Sequence, residues 1–268
     1  MAEHQDTLIY NIDKSIKKKA DLIETNFWGY AVRAIMASVY LAIGLAISVY
    51  TADKLNHIVD GLGKFSYALM FGWCLVMILY MNAELGTSNM MYMTSAVHRK
   101  VIPFKTALKI LATCIFFNFV GAVVITFLLS LTTPFQAGHV EADSYLIEAA
   151  VAKLAETPLT QFVEGIFANM VVNIAVFVSM RMKDDAGRVI ALIFIIFIFA
   201  FLGYEHVIAN FSLFSLSFFS FGSGIEGMTV LSVLSNFLFA ALGNYVGGGI
   251  LIGLLYSWLS NKSKLYVD

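Results

Sequence analysis

Apolar residues fill six long segments of this chain, and shorter polar stretches separate them. The segments cover residues 28–50, 65–97, 106–132, 159–180, 189–221 and 229–258. A helix needs about 20 mostly apolar residues to cross the hydrocarbon core of a bilayer. The pattern therefore predicts an all-α polytopic membrane protein, with six transmembrane helices in a channel domain that covers residues 28–260.

The first 27 residues follow a different pattern. They are mostly polar, and the short apolar core that a signal peptide requires does not occur before Trp28. Six apolar residues recur there at helical spacing, namely Leu8, Ile9, Ile12, Ile16, Ala20 and Ile23. We expect this segment, residues 1–27, to form an amphipathic helix that lies on the cytoplasmic face.

Basic residues predict the orientation of the helices. Of the 17 lysines and arginines, 13 lie in the N-terminal segment, the 98–109 loop, the 181–188 loop and the C-terminal tail, residues 261–268. The opposite loops hold only Lys54, Lys64 and Lys153. Because lysine and arginine accumulate in cytoplasmic loops, we expect both termini to be cytoplasmic in a multi-pass protein of the cell membrane.

The second and fifth segments are each about 33 residues long and carry polar residues at their centres. The interruptions are "NAELGTSNM" (82–90) and "YEHVIANF" (204–211). Two half-helices joined by irregular backbone would explain both the length and the polarity. Irregular backbone at membrane depth persists only where protein buries it or where it lines a wet cavity.

The two halves of the chain repeat one pattern. Glu84 precedes Asn89 by five positions, and Glu205 precedes Asn210 by five. Farther along, "NFVGA" begins at Asn118 and "NYVGG" begins at Asn244. Residues 28–132 and 159–258 thus form two three-helix repeats of inverted topology, with broken second and fifth helices. This arrangement is typical of transporters and channels. We expect the N-x-V-G motifs to serve mainly in helix packing.

Composition supports the membrane assignment, since 59% of the residues are hydrophobic and 13% are charged. An ionisable residue inside a membrane is a functional candidate, which makes His206 the main one. For Glu84 and Glu205 we favour a structural role, as carboxyls that bond backbone amides freed by the breaks. Thr87 and Ser88 either serve the pore or satisfy freed backbone groups. Composition alone makes Lys153 a solvated charge.

Four motifs together resemble the signatures of the formate/nitrite transporter family. They are "AELGTS" at 83–88, "GIFANMVV" at 165–172, "YEHVIANF" at 204–211 and "GNYVGGG" at 243–249, and the resemblance covers nearly the whole chain. It implies an aquaporin-like plan of six helices and a pentamer with one pore in each protomer. It also implies transport of small monovalent anions, often together with a proton.

The resemblance assigns roles to individual residues. His206 matches the central pore histidine, Thr87 the threonine that faces it, and Lys153 the lysine that attracts anions to the outer vestibule. Asn169 and Asn210 match polar residues that support this centre. The positions of the apolar constrictions correspond to Phe71, Leu75, Leu85 and Phe199. One departure is Gly86, where formate channels carry a bulky aromatic residue; its loss is expected to widen the constriction or loosen the loop.

The expected function is transport of formate, nitrite, hydrosulfide or short monocarboxylates, with His206 donating a proton or a hydrogen bond to the anion. The expected partners are these anions, protons, the lipid bilayer and further copies of the chain; no cofactor, metal ion or nucleic acid is expected. One alternative is a neutral-solute channel of the water or glycerol type, although no proline occurs in either break. Another is a membrane-bound enzyme, although the spans hold no paired histidines.

Overall fold

The computed structural model describes residues 7–59 and 61–260. Regular structure in this part of the chain is helical throughout. The predicted C-terminal tail, residues 261–268, and the first six residues of the N-terminal segment lie outside the described residues. Six helical segments are long and apolar enough to cross a membrane, which confirms the predicted fold class.

The first half of the fold comprises an N-terminal helix and three membrane segments. The N-terminal helix is α1, Leu8–Thr25, and the first span is α2, Phe27–Asn56. The second segment consists of α3, Leu62–Phe71, α4, Trp73–Tyr80, and the half-helix α5, Gly86–His98. The third span is α6, Phe104–Ser130.

The second half also begins with a helix outside the spans, α7, Tyr145–Ala155. The fourth span is α8, Pro158–Arg181. The fifth segment consists of α9, Asp185–Leu202, and the half-helix α10, Val207–Phe221. The sixth span starts as α11, Val230–Asn244, continues as a π-helical stretch, Tyr245–Leu254, and ends as α12, Leu255–Leu259.

Both predicted breaks are present, and both are shorter than the polar interruptions suggested. Residues 81–85 separate α4 from α5, and residues 203–206 separate α9 from α10. Asn82 and Gly203 adopt left-handed backbone with φ of 50° and 83°, which ends the preceding helices. Residues 86–90 and 207–211, which the sequence placed in the interruptions, instead begin the half-helices.

Helix α1 packs its apolar face onto the helical bundle. Leu8, Ile12, Ile16, Ala20 and Ile23 are all buried, as the helical spacing indicates. They share one apolar cluster with residues of α2, α5 and α6. This contact fixes the polar face of α1 beside the first break, at the entrance to the protein interior.

Candidate functional site

An asparagine from the last membrane span of each half forms hydrogen bonds across the break in that half. Asn118 accepts a hydrogen bond from Gly86 N at 2.8 Å and donates to Glu84 O at 3.0 Å. Across the other break, Asn244 accepts a hydrogen bond from Val207 N at 2.9 Å and donates to Glu205 O at 2.8 Å. These asparagines satisfy backbone groups that the interrupted helices leave free.

The same two asparagines also bond the first helix of their own half. Asn118 donates to Ala34 O at 2.7 Å, and Asn244 donates to Gly165 O at 2.9 Å. The N-x-V-G motifs were expected to serve mainly in packing, and their glycines do meet backbone closely. Their asparagines, however, are hydrogen-bonded braces. This correspondence supports the predicted internal repeat.

The buried carboxylates at the breaks have partners other than the backbone amides expected for them. Glu84 accepts from Asn89 Nδ2 at 3.0 Å and pairs with Lys19 at 2.5 Å. The E-x4-N spacing thus places each glutamate against its own asparagine, one helical turn into the half-helix.

Glu205 has the corresponding partners in the second half. It accepts from Asn210 Nδ2, from Asn236 Nδ2 at 3.1 Å and from Lys153 Nζ at 2.9 Å. The Lys153 side chain is only 15% exposed, and it also donates to Gly203 O at 2.9 Å. The ammonium group is therefore neutralised by Glu205 and is not a freely solvated charge.

A histidine and a threonine meet at the centre, between the two breaks. His206 Nε2 lies 2.8 Å from Thr87 Oγ1, and both residues are buried. His206 is the N-cap of α10 and Thr87 is the second residue of α5, so each side chain is held at the start of a half-helix. The positive ends of two helix dipoles thus point toward this pair.

The hydrogen bond on the other side of the imidazole fixes its neutral tautomer. His206 Nδ1 accepts from Ala209 N at 3.1 Å, which caps α10. Because Nδ1 is an acceptor, the proton of the neutral ring is on Nε2 and faces Thr87 Oγ1. The Thr87 hydroxyl then keeps its own hydrogen for another acceptor. A second proton, on Nδ1, would destroy the cap.

Asn169 braces this centre from behind. Its amide nitrogen donates to Thr87 O at 3.1 Å and to Asn244 O at 2.7 Å, and the residue is fully buried. Asn210 supports Glu205, with no bond to His206 among those described. Ser88 Oγ has no hydrogen-bond partner among residues 7–59 and 61–260.

Two aromatic rings pack on one side of the central pair, where the sequence predicted a constriction. Phe71 and Phe199 meet edge to face with centroids 5.8 Å apart, and the Phe199 centroid lies 5.9 Å from that of His206. Leu75 is buried in the same apolar core, and Leu85 directly precedes α5. A Cβ at Gly86 would lie 2.9 Å from Ile115 Cγ1, so Ile115 fills the space beside this glycine.

Two cavities approach the centre from opposite sides. The outer mouth, about 260 Å³, is lined by residues that include Lys64, Phe71, Lys153, Glu156, Phe199 and His206. The inner mouth, about 520 Å³, is lined by residues that include Lys18, Lys19, Arg33, Asn82, Glu84 and Leu85. The names follow the predicted orientation, in which α1 is cytoplasmic.

Two further glutamates lie beside the outer ion pair. Carboxylate oxygens of Glu156, Glu164 and Glu205 lie within 4.8 Å of one another. Burial, and next the negative charge of Glu205, raise the pKa of Glu156 to about 8. At neutral pH this carboxyl is therefore mostly protonated.

The sequence did not identify several residues of this arrangement. Lys19 was one of four lysines in the N-terminal segment, and nothing in the local pattern distinguishes it from its neighbours. Asn118 and Asn244 were noted, but only as packing motifs. Asn236 and Glu156 drew no attention, because their roles depend on contacts distant in the chain. The signal in the sequence was the repeated E-x4-N spacing, which begins at Glu84 in one half and at Glu205 in the other and marks both breaks.

Comparisons with known proteins identify the family that the chain resembles. A family model described as formate/nitrite transporter matches residues 6–258. The chain is 29% identical over 247 residues to the nitrite transporter NirC of Escherichia coli (strain K12), covering 91% of this chain and 88% of that protein. It is also 29% identical over 253 residues to the formate-nitrite transporter of Plasmodium falciparum, covering 89% and 79%.

Solved structures share the fold. One described as an FNT family ion channel superimposes with a TM-score of 0.85 at 26% identity, covering 94% of this chain and 98% of that one. Another, described as a pentameric formate channel with formate bound, has a TM-score of 0.74 at 20% identity and covers 88% and 98%.

Proposed function

Because the chain belongs to the formate/nitrite transporter family, we propose that it passes small monovalent anions through a pore in each protomer. It is a multi-pass membrane protein and a transporter rather than an enzyme. The proposed substrates are formate, nitrite, hydrosulfide and short monocarboxylates. Relatives described as nitrite and formate-nitrite transporters support this class of anion.

The contact between His206 Nε2 and Thr87 Oγ1 carries the proposal. In this proposal the pair offers hydrogen-bond donors to a solute that passes between the Phe71–Phe199 ring pair and Leu85. A buried polar pair in an apolar path needs a polar partner, and a small anion or its acid is a suitable one. Family membership favours an anion over the neutral solute that the sequence left open.

Dehydration explains how such a pore passes a weak acid. A small anion loses much of its hydration as it approaches the apolar section, and desolvation raises the pKa of its conjugate acid. The anion then takes up a proton from water in the mouth, the hydroxide left behind returns to the bulk solution, and the neutral acid crosses the rings at a much lower free-energy cost. Protons thus accompany the anion as a second transported species.

His206 serves this step as a neutral hydrogen-bond donor. Its Nδ1 is committed to Ala209 N, so the ring orients one hydrogen toward Thr87, and the Thr87 hydroxyl is free to donate to the passing molecule. We favour this role over proton donation, because a doubly protonated ring would lose the cap of α10 and would face the positive end of that helix.

Lys153 and the glutamates at the breaks set the electrostatic charge at the two mouths. A bare Glu205 carboxylate would repel an anion, and the ammonium of Lys153 at 2.9 Å offsets its charge. In this proposal Lys153 removes the repulsion that Glu205 would otherwise exert on an anion in the outer mouth. Asn169 and Asn210 hold the central threonine and the glutamate in position.

The proposed assembly is a pentamer with cytoplasmic termini. The structural relative described as a pentameric formate channel supports this oligomer, and the positive-inside distribution supports the orientation. Each protomer encloses both mouths and the central pair within its own chain, so the pore requires no residue from a neighbour.

Flux measurements on histidine variants test the proposal. We expect proteoliposomes of the wild type to take up formate or nitrite. His206→Asn retains a helix-capping oxygen and a neutral N–H donor, so it is expected to keep flux within about tenfold, with a pH profile parallel to that of the wild type. His206→Leu has a similar volume but neither group, and a loss of about 100-fold is expected.

The flux is normalised to assembled protein, because loss of the cap lowers stability by about 1 kcal/mol. A wild type that passes glycerol but no anion would refute the proposed function. A His206→Asn profile that loses its pH response between pH 5 and 8 would instead show that the ring titrates during transport.

A further inference from the structure

We propose that Arg33 is an anion-binding residue of the inner mouth, which receives a small anion before it reaches Leu85. This inference rests on the proposed function, since it assigns the binding step at the cytoplasmic end of the same pore. The ligand class is a planar monovalent oxyanion such as formate or nitrite.

The first break holds Arg33 in place. Arg33 Nη1 donates to Asn82 O at 2.8 Å, and the Arg33 carbonyl accepts from Glu84 N at 3.0 Å. The side chain lines the inner mouth and is exposed. A guanidinium has five N–H groups, so most of its donors remain available to a ligand after the bond to Asn82.

A contact with the break, and the lack of a carboxylate partner among the described residues, together distinguish Arg33 from the lysines of the same mouth. Lys19 is paired with Glu84 at 2.5 Å and also lies over the Tyr92 ring, so a carboxylate already offsets its charge. Lys18 lies on the exposed side of α1. Arg33 contacts the first break through Asn82 O, and it has no carboxylate partner in the part of the chain that the structure describes.

The second break has the reverse charge at the corresponding place. Asn118 bonds Ala34 O and Asn244 bonds Gly165 O, which makes these two carbonyls equivalent in the two halves. The residue before Ala34 is Arg33, and the residue before Gly165 is Glu164. One break therefore carries an additional cation, and the other carries an additional carboxylate.

The chemistry of the guanidinium suits the proposed ligand. Its planar N–H groups form two parallel hydrogen bonds with a pair of oxygens on one atom, as in carboxylates. Formate and nitrite present such a pair. Arg33 would thus bind the anion at the rim, where water still hydrates it, and deliver it to Leu85.

Oriented membrane vesicles test this assignment, because inverted vesicles present the inner mouth to added anion and right-side-out vesicles present the outer mouth. The variant Arg33→Gln removes the charge but keeps an N–H donor for Asn82 O. We expect it to raise the KM for formate uptake about three- to tenfold in inverted vesicles. The KM in right-side-out vesicles is expected to stay unchanged.

Two further variants make the result specific. Arg33→Lys retains the positive charge but loses the paired N–H groups, so its KM in inverted vesicles is expected to lie between those of the wild type and Arg33→Gln. Glu164→Gln removes the carboxylate at the equivalent position, and it is expected to lower the KM in right-side-out vesicles only. This second variant tests the charge argument even if Arg33→Gln assembles poorly.

An unchanged KM for Arg33→Gln in inverted vesicles would overturn the inference. So would a loss of assembled oligomer without a change in KM, since Arg33 would then only brace Asn82 or a protomer boundary. A wild type without anion uptake in either preparation would refute the proposed function itself, whereas normal wild-type uptake with unchanged variants would refute only the role of Arg33.

Discussion

Glu156 shows how a single carboxyl controls the charge of the outer mouth. It lines the same cavity as Lys153, at the end of α7 and outside the membrane spans. Burial and the neighbouring Glu205 raise its pKa to about 8. Below that pH the group is neutral, and above it the group adds a negative charge to a mouth that, in the proposed function, admits anions.

We therefore predict that uptake from the outer side falls as the pH rises through about 8. Glu156→Gln mimics the protonated carboxyl, so its uptake should match the wild type at pH 6 and exceed it about three- to tenfold at pH 9. The measurement is the ratio of variant to wild-type uptake of formate in right-side-out vesicles, with the same pH on both sides.

Glu148→Gln provides a matched control, since Glu148 is exposed on α7 and does not line the outer mouth. Its ratio to the wild type should stay near one at every pH. A ratio for Glu156→Gln that does not change between pH 6 and pH 9 would show that this carboxyl does not titrate at the mouth.

At the scale of elements, the sixth span depends on glycines that let it approach α8. A Cβ on Gly247 would collide with the carbonyl oxygen of Ile166, and one on Gly243 would collide with that of Phe162. Gly121 has the same relation to Ile35 O, at 2.7 Å from the place of its Cβ. These contacts keep Asn118 and Asn244 within reach of the breaks that they brace.

Gly247→Ala is predicted to destabilise the protein by about 1–3 kcal/mol, because backbone on both sides must move to admit one methyl group. The expected observation is a lower midpoint of thermal aggregation in detergent, together with reduced flux. Gly224→Ala serves as the control, since its Cβ would lie 3.5 Å from the Phe221 ring, an ordinary contact. Equal midpoints for the two variants would contradict the close approach.

Sequence patterns predicted those elements that depend on local composition. The six spans and both breaks follow from long apolar runs with polar centres, and the apolar face of α1 follows from helical spacing. The π-helical stretch at Tyr245–Leu254 was not predicted, because its glycines fit an ordinary helix equally well. The pairing of Lys19 with Glu84 was also missed, since it joins residues 65 positions apart and requires the packing of α1.

The candidate site was predictable to a similar degree. The resemblance identified His206 and Thr87, and the structure brings them together at 2.8 Å. It did not indicate that Nδ1 of the ring caps α10, a detail that decides which tautomer faces the pore. The contact between Nδ1 and Ala209 N depends on the backbone geometry at the break, which cannot be predicted from the pattern of side chains.

At the scale of the whole molecule, the two mouths are built alike but differ in charge. Each has a glutamate in the break, an asparagine one turn later and a lysine from a helix outside the spans. Arg33 adds a cation to one mouth and Glu156 adds a carboxyl to the other, while Glu164 lies beside Glu156 and Glu205. We infer that the two ends bind anions with different affinities, although the direction of net flux still follows the gradient.

The arrangement of both mouths within one chain predicts how the protomers of the oligomer share the flux. Because one chain contains both mouths and the central pair, each protomer should conduct independently of its neighbours. We predict a pentamer in native mass spectrometry of the detergent-solubilised protein. In mixed pentamers of wild type and His206→Phe, whose larger ring obstructs the centre, flux should decrease in proportion to the fraction of variant chains.

Proportional loss has a specific physical reason, since a blocked pore removes only its own share of the flux. A pathway shared along the fivefold axis would behave differently, because one variant chain would impair the whole assembly and flux would fall about as the fifth power of the wild-type fraction. At equal amounts of both chains, the independent pores retain half of the flux. A shared pathway would retain only a few per cent, and that result would contradict a pore within each protomer.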